Sequence, residues 1–164
     1  MLAFGRRRWS LWVGAITVLT LAMVALVPPS GARSIREFDP VRTADLELRM
    51  WQAYYAKENA RLFGLLVVLL REQYHYSWAS AVLQGSRLAR AAARFGNATS
   101  DYERSLPELT ASYAAAQRRF DSHFDPAAVA RAELAWWVAR RVPGRDAPEQ
   151  VGELIAQELS LIHI

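Results

Sequence analysis

Glu72-Gln73-Tyr74-His75 places a carboxylate and an imidazole three positions apart. On a helix that spacing sets both on one face, the arrangement used by carboxylate-bridged di-iron sites in helical bundles. Such a site needs the pair twice, plus two further glutamates. No second pair occurs: His123 has Arg119 and Phe120 at the corresponding upstream positions, and His163 falls in a terminal hexapeptide treated below. The simpler expectation is that Glu72 forms a salt bridge near a helix end and that His75 interacts with the negative end of the helix dipole.

Two further carboxylates stand among apolar residues. Glu58 falls between Tyr55 and Leu62, and Glu133 lies beside Leu134, Trp136 and Trp137. Each is expected to be buried against an arginine of another helix, with Arg87, Arg90 or Arg131 as candidates for Glu58. The functional alternative makes them polar points in a ligand cleft. The candidate ligand-binding set is therefore Glu58, Glu72, His75 and Glu133. There is no Gly-rich phosphate loop, nucleophile elbow or zinc-protease helix motif, so no catalytic residue, metal site or cofactor is assigned. The clusters Tyr54-Tyr55, Tyr74 to Trp78 and Trp136-Trp137 have helical spacing that fits core packing better than a sugar-stacking surface. Adjacent aromatics cannot share a helix face, so one of each pair belongs at a seam or edge.

These residues need elements to hold them, and the pattern is helical throughout. Leu62 to Leu70, LFGLLVVLL, lies between Arg61 and Arg71. As a helix it spans only about 14 Å, too short to cross a bilayer, and it sits inside a longer three-to-four periodicity that a strand would not show. It is expected to be the buried centre of one long helix over 41–75. The small residues Ala53, Ala56, Ala60 and Gly64 would form a ridge for close approach of a neighbour. Ser77 can cap a second helix running to Phe95, with Gly96-Asn97 as its stop. Two successive capping boxes, starting at Ser100 and Ser105, predict a short or kinked turn before a third helix to Phe120. Asp125-Pro126 starts a fourth helix, which Pro143-Gly144 ends, and Asp146 to Glu149 starts a fifth bearing Val151, Leu154, Ile155 and Glu158 at helical period. No hairpin signal is present, so the fold class is all-α.

The two ends differ from this middle. Trp9 to Ala32 carries no charge and follows Arg6, Arg7 and Arg8. That is the pattern of an N-terminal transmembrane anchor, with Ser30-Gly31-Ala32 also offering a small-x-small cleavage motif for the alternative of a secretory signal. Arg33, Arg36 and Arg42 beyond the run nearly balance the positive-inside count, and the contiguity of the first triplet favours a cytoplasmic N-terminus. At the other end, Leu159 to Ile164 (LSLIHI) resembles a translated sequencing-library adapter, so the natural helix is expected to run on differently after Glu158.

Of the 20 basic residues three precede the apolar run, leaving 17 against 16 acidic ones. This balance gives no basic field for nucleic acid. Absence of cysteine excludes disulfides and thiolate chemistry. The preference for arginine over lysine and the abundance of alanine suggest a GC-rich bacterial genome. The expectation is an anchor at 1–32, a helical domain at 33–158 with about five helices around the long one, and a foreign tail at 159–164. The protein would sit at the bacterial inner membrane by a single pass, in the bilayer through residues 9–27, with the domain on the extracytoplasmic side. It would act as an interaction or scaffold module, with an envelope protein as candidate partner. The competing reading is a ligand-binding or metal-dependent helical-bundle enzyme using Glu58, Glu72 and His75.

Overall fold

The computed structural model describes residues 3–29, 34 and 37–163, and among them the side chains from Trp12 to Ile162. Arg33, Arg36 and the Ser30-Gly31-Ala32 motif lie outside the described residues, as do the side chains of Arg6, Arg7, Arg8, Trp9 and His163. Among the described residues there are seven α-helices and no strand: α1 (Ala3–Leu26), α2 (Pro40–Tyr55), α3 (Asn59–Glu72), α4 (Trp78–Asn97), α5 (Leu106–Phe120), α6 (Pro126–Arg141) and α7 (Pro148–His163). A single 3₁₀ turn, Tyr102–Ser105, precedes α5. The all-α helical bundle is as the periodicity predicts.

The start signals act as read at Ser77 and Asp125, and Asp39, which the sequence reading did not single out, supplies a third cap. Asp39 accepts hydrogen bonds from the Val41 and Arg42 amides at 2.9 and 3.0 Å with Pro40 at the first position of α2. Ser77 accepts from the Ser80 amide at the head of α4, and Asp125 from the Ala127 amide at the head of α6. The kinked entry to α5 is the 3₁₀ turn, but neither expected capping box closes there. Ser105 is fully buried and its hydroxyl donates instead to the Ala91 carbonyl at 3.1 Å, tying the turn to α4.

The single long helix over 41–75 is not found. The chain turns back at Ala56 to Glu58, where the Lys57 amide donates to the Tyr54 carbonyl and the Glu58 amide to the Ala53 carbonyl. This is a Schellman ending, with Lys57 in the left-handed region at φ 58° where glycine would be usual. Helices α2 and α3 therefore form an antiparallel hairpin. At its open end the Asp39 amide donates to Gln73 Oε1, and Arg42 makes two bonds to Glu72.

The folding back also undoes the expected ridge of small residues. Ala53 is fully buried, whereas Ala56, Ala60 and Gly64 face solvent. The close approach occurs elsewhere, at Gly85 of α4. A Cβ there would stand 3.2 Å from Val67 Cγ2 and 3.5 Å from Phe63 Cε2. Around that contact LFGLLVVLL is covered almost completely: Leu65, Leu66, Val67, Leu69 and Leu70 are buried, Leu62, Phe63 and Val68 half-buried, and only Gly64 is open. Leu46 and Ala53 of α2 cover one side of α3, and Ala81 and Leu88 of α4 another.

Beyond α4 the packing continues in sequence order. Ala91 and Phe95 meet Leu109 of α5 with Ala130 and Leu134 of α6, and Ala116, Phe124 and Val129 form a further cluster against which Leu161 and Ile162 of α7 are half-buried. Backbones in close contact belong to helices adjacent in the chain, apart from α1, which lies against α4, and the 3₁₀ turn, which also touches α6. Helix α2 reaches α6 only through long side chains, Trp51 and Trp136 having ring centroids 5.6 Å apart.

Among the described residues no helix is long and apolar enough to cross a membrane, so the expected transmembrane helix is not supported.

The two interior glycines distinguish packing from propensity. Gly85→Val should destabilise the fold by about 1–3 kcal/mol through overpacking against Val67. Gly64→Ala, which meets nothing within 4 Å, should stabilise it by roughly 0.5–1 kcal/mol. Urea unfolding followed by circular dichroism measures both, and the reverse order would refute the α3–α4 contact.

Candidate functional site

The four expected site residues do not come together. Glu58, predicted to be buried against an arginine of another helix, is exposed and pairs with Arg61 three residues ahead, Oε2 to Nη1 at 2.8 Å. Its assignment to the core stripe assumed an unbroken helix; the turn at Lys57 moves it to the exposed start of α3. Glu72 is held by Arg42 on the surface, at 2.8 Å to Nε and 3.3 Å to Nη2, which is the expected helix-end salt bridge. His75 sits in the turn after α3 at φ 48°, and its carbonyl accepts from Arg119 at 3.2 Å. Glu72 and His75, whose separation of three presumed one helix, are thus divided, because α3 ends at Glu72 and His75 lies beyond it.

Glu133 is the exception, and its surroundings differ from the expected arginine. Its Oε2 is buried and has no hydrogen-bond partner. Helix α7 brings Glu158 to the same place, itself buried, with Oε1 accepting from the Tyr113 hydroxyl at 2.5 Å and Oε2 from the Trp136 indole at 2.7 Å. Glu47 of α2 stands at the solvent edge, and Tyr74 follows α3. Five segments of chain therefore meet at a seam lined with carboxyls and aromatic rings, and among the described residues no cation bonds to Glu133 or Glu158.

Burial is the largest effect on these groups. It pushes the Glu133 carboxyl well above the ordinary carboxylate range, with the negative charge of Glu158 adding to it, the Tyr113 hydroxyl opposing it and Glu47 contributing further. Glu158 is also raised by burial, against the opposing hydrogen bonds from Tyr113 and Trp136. Glu47 is raised by desolvation and then by the charge of Glu158. Burial first, then the neighbouring carboxylates, raises both Tyr74 and Tyr113, keeping their hydroxyls protonated as donors.

The donors decide where a shared proton resides. Glu158 receives two hydrogen bonds that stabilise its carboxylate, whereas Glu133 Oε2 receives none. The proton therefore belongs on Glu133, and the pair titrates as a unit. What the seam can do chemically is hold a proton between α6 and α7. Among the described residues no group of three or more histidine or acidic side chains is arranged to hold a metal ion.

Glu47, Tyr74, Tyr113 and Glu158 were not singled out from the sequence as site residues. A signal existed for Glu158, which follows Val151, Leu154 and Ile155 at the core period of α7. Its partner could not be read locally, since Tyr113 is 45 residues away in the chain.

A second feature is an open groove of about 950 Å³ between the 3₁₀ turn, α6 and α7. Leu106, Leu134, Val138 and Leu154 line it together with the oppositely charged Arg131 and Glu153. Compared with protein-family models, curated proteins and solved structures, the chain has no match.

The raised Glu133 fixes the sign of a pH effect. A carboxyl whose folded value lies above the unfolded 4.5 favours folding while protonated, and that contribution is lost as pH rises through the folded value. Glu133→Gln, neutral at every pH, should match the parent in stability below about pH 4.5 and exceed it by on the order of 1 kcal/mol or more above neutrality. Urea unfolding across pH checks this; parallel pH profiles for the two proteins would place Glu133 in contact with water.

Proposed function

We propose that the chain is a membrane-anchored helical module of the bacterial envelope that acts by binding other proteins, tethered through α1. The observation that carries this reading is the surface of α1. Trp12, Val13, Ile16, Val18, Leu19, Leu21, Met23, Val24 and Leu26 are all exposed, at 57–66% of their full surface. At about 100° per residue these positions occupy every side of the helix. Soluble monomers rarely expose contiguous apolar patches beyond a few hundred Å². A surface this extensive calls for an apolar solvent.

The polar atoms within α1 support the same solvent. Thr17 and Thr20 each donate their hydroxyl to the carbonyl four residues earlier, Val13 and Ile16, both at 2.9 Å. Such back-bonding satisfies a hydroxyl where no water is available. Helix α1 carries no charge from Trp9 to its end at Leu26, and the charge-free sequence continues past that end. The three arginines before Trp9 would remain on the cytoplasmic side, leaving α2 to α7 outside as a body that covers its own apolar helix α3.

The binding role rests on the groove between α6 and α7, whose apolar floor and charged rim suit a protein segment better than a small polar substrate. An enzyme built on Glu58, Glu72 and His75 would require them at one place, and they occupy separate surface positions.

Fractionation tests the tether. The protein expressed from its natural gene should stay in the membrane pellet after alkaline carbonate washing, and a version lacking residues 1–32 should move to the supernatant with its helical circular dichroism intact. Release of the full-length protein by carbonate would refute the anchor. Retention of the shortened one would show that the body itself is integral.

A further inference from the structure

We propose that α4 is a membrane-surface helix whose exposed apolar face docks among anionic lipid headgroups beside the anchor. This rests on α1 being the anchor. Helix α1 lies against α4, and the half-buried side chains of its last turns are the small Ala22 and Ala25. Their burial places the contact with α4 at the end of the span, which sets α4 at the level of the headgroups.

The composition of α4 suits that level. It is the one helix of the body with no acidic residue, and it carries Arg87, Arg90 and Arg94. Trp78, Val82 and Leu83 on its outer side are 43%, 46% and 52% exposed, with Ala79 beside them. Positions 79, 82, 83 and 86 form one stripe of a helix. The guanidinium of Arg71 lies 5.3 Å from the Trp78 ring centroid. An amphipathic tryptophan beside arginine is the pairing favoured at a bilayer interface, where the ring enters the acyl boundary and the cation stays with phosphate.

Charge distinguishes the lipid surface from a protein cover. Arg90 and Arg94 share Glu108, but Arg71 bonds to the Tyr76 carbonyl and Arg87 to Gln84 Oε1, both neutral acceptors. Among the described residues the two arginines that flank the apolar patch thus form no ion pair, Arg87 feeling the Glu108 charge only at longer range, and an anionic headgroup is the complement. Proximity to the surface adds attraction for each such cation, which falls with salt.

The chain has no cysteine, so a single introduced thiol reports one position. The full chain would be labelled with an environment-sensitive fluorophore at Leu83→Cys, at Ile16→Cys in α1, or at Glu58→Cys at the far turn, and reconstituted in phosphatidylethanolamine–phosphatidylglycerol vesicles. A nitroxide-bearing lipid should quench the labels at 16 and 83 and leave that at 58 unaffected. Replacing phosphatidylglycerol by phosphatidylcholine, or introducing Arg87→Gln, should reduce quenching at 83 by at least about twofold without changing that at 16. Quenching at 16 with none at 83 would overturn the docking and leave the anchor standing, and a label at 83 shielded from both lipid nitroxide and aqueous iodide would assign the face to a protein cover. No quenching at 16 would overturn the anchor, and the docking with it.

Discussion

A helix that is apolar on nearly every side must be covered on nearly every side, and α3 imposes this on the rest of the body. Burying Leu65, Leu66, Val67, Leu69 and Leu70 together requires neighbours on more than one face. Burying each such side chain is worth about 1.5–3 kcal/mol, so the arrangement of neighbours is decided by this demand before any surface pair matters. The Schellman turn at Lys57 returns α2 along one face, with Leu46 and Ala53 against Leu65 and Leu69. Gly85 lets α4 come close on another, and the 3₁₀ turn and α5 follow because Ser105 is fastened to α4 through the Ala91 carbonyl.

Successive packing of sequence neighbours leaves a place where the two ends of the series face one another. No close backbone contact fills it; Trp51, Trp136, Tyr74 and Tyr113 do, since only long side chains reach across. Polar groups enter with them. The Trp136 indole and Tyr113 hydroxyl need acceptors once buried, and Glu158 supplies both. Burial first, and then the charge of Glu158, raises the carboxyl of Glu133, whose Oε2 has no donor. That shift is thus a consequence of where the aromatic rings had to go.

The parts of this architecture that the sequence made legible are those fixed by chemistry within a few residues. Ser77 and Asp125 are short polar side chains that bond the next amides, and the proline after Asp125 strengthens the signal. The break at Ala56-Lys57-Glu58 gave no such signal, because the left-handed position is held by lysine and neither glycine nor asparagine marks it. That one omission accounts for both the expected long helix and the expected burial of Glu58. Glu133 was recognised as out of place by its apolar neighbours, but its company was not legible. Glu47, Tyr74, Tyr113 and Glu158 are brought to it by four other segments, and nothing local encodes their meeting.

The two apolar helices, α1 and α3, have opposite fates for a reason visible in their flanks. Helix α3 has Arg61 at its start and Arg71 with Glu72 at its end, and charges so close together keep both ends at an aqueous surface while the centre is covered by protein. Helix α1 has no such charge from Trp9 to its end, and Thr17 and Thr20 bond to its own backbone. The body has spent its covering surface on α3, and α1 touches it only along α4. An apolar helix that the body leaves exposed is thus joined to one that it covers, and α4 is the helix that touches both.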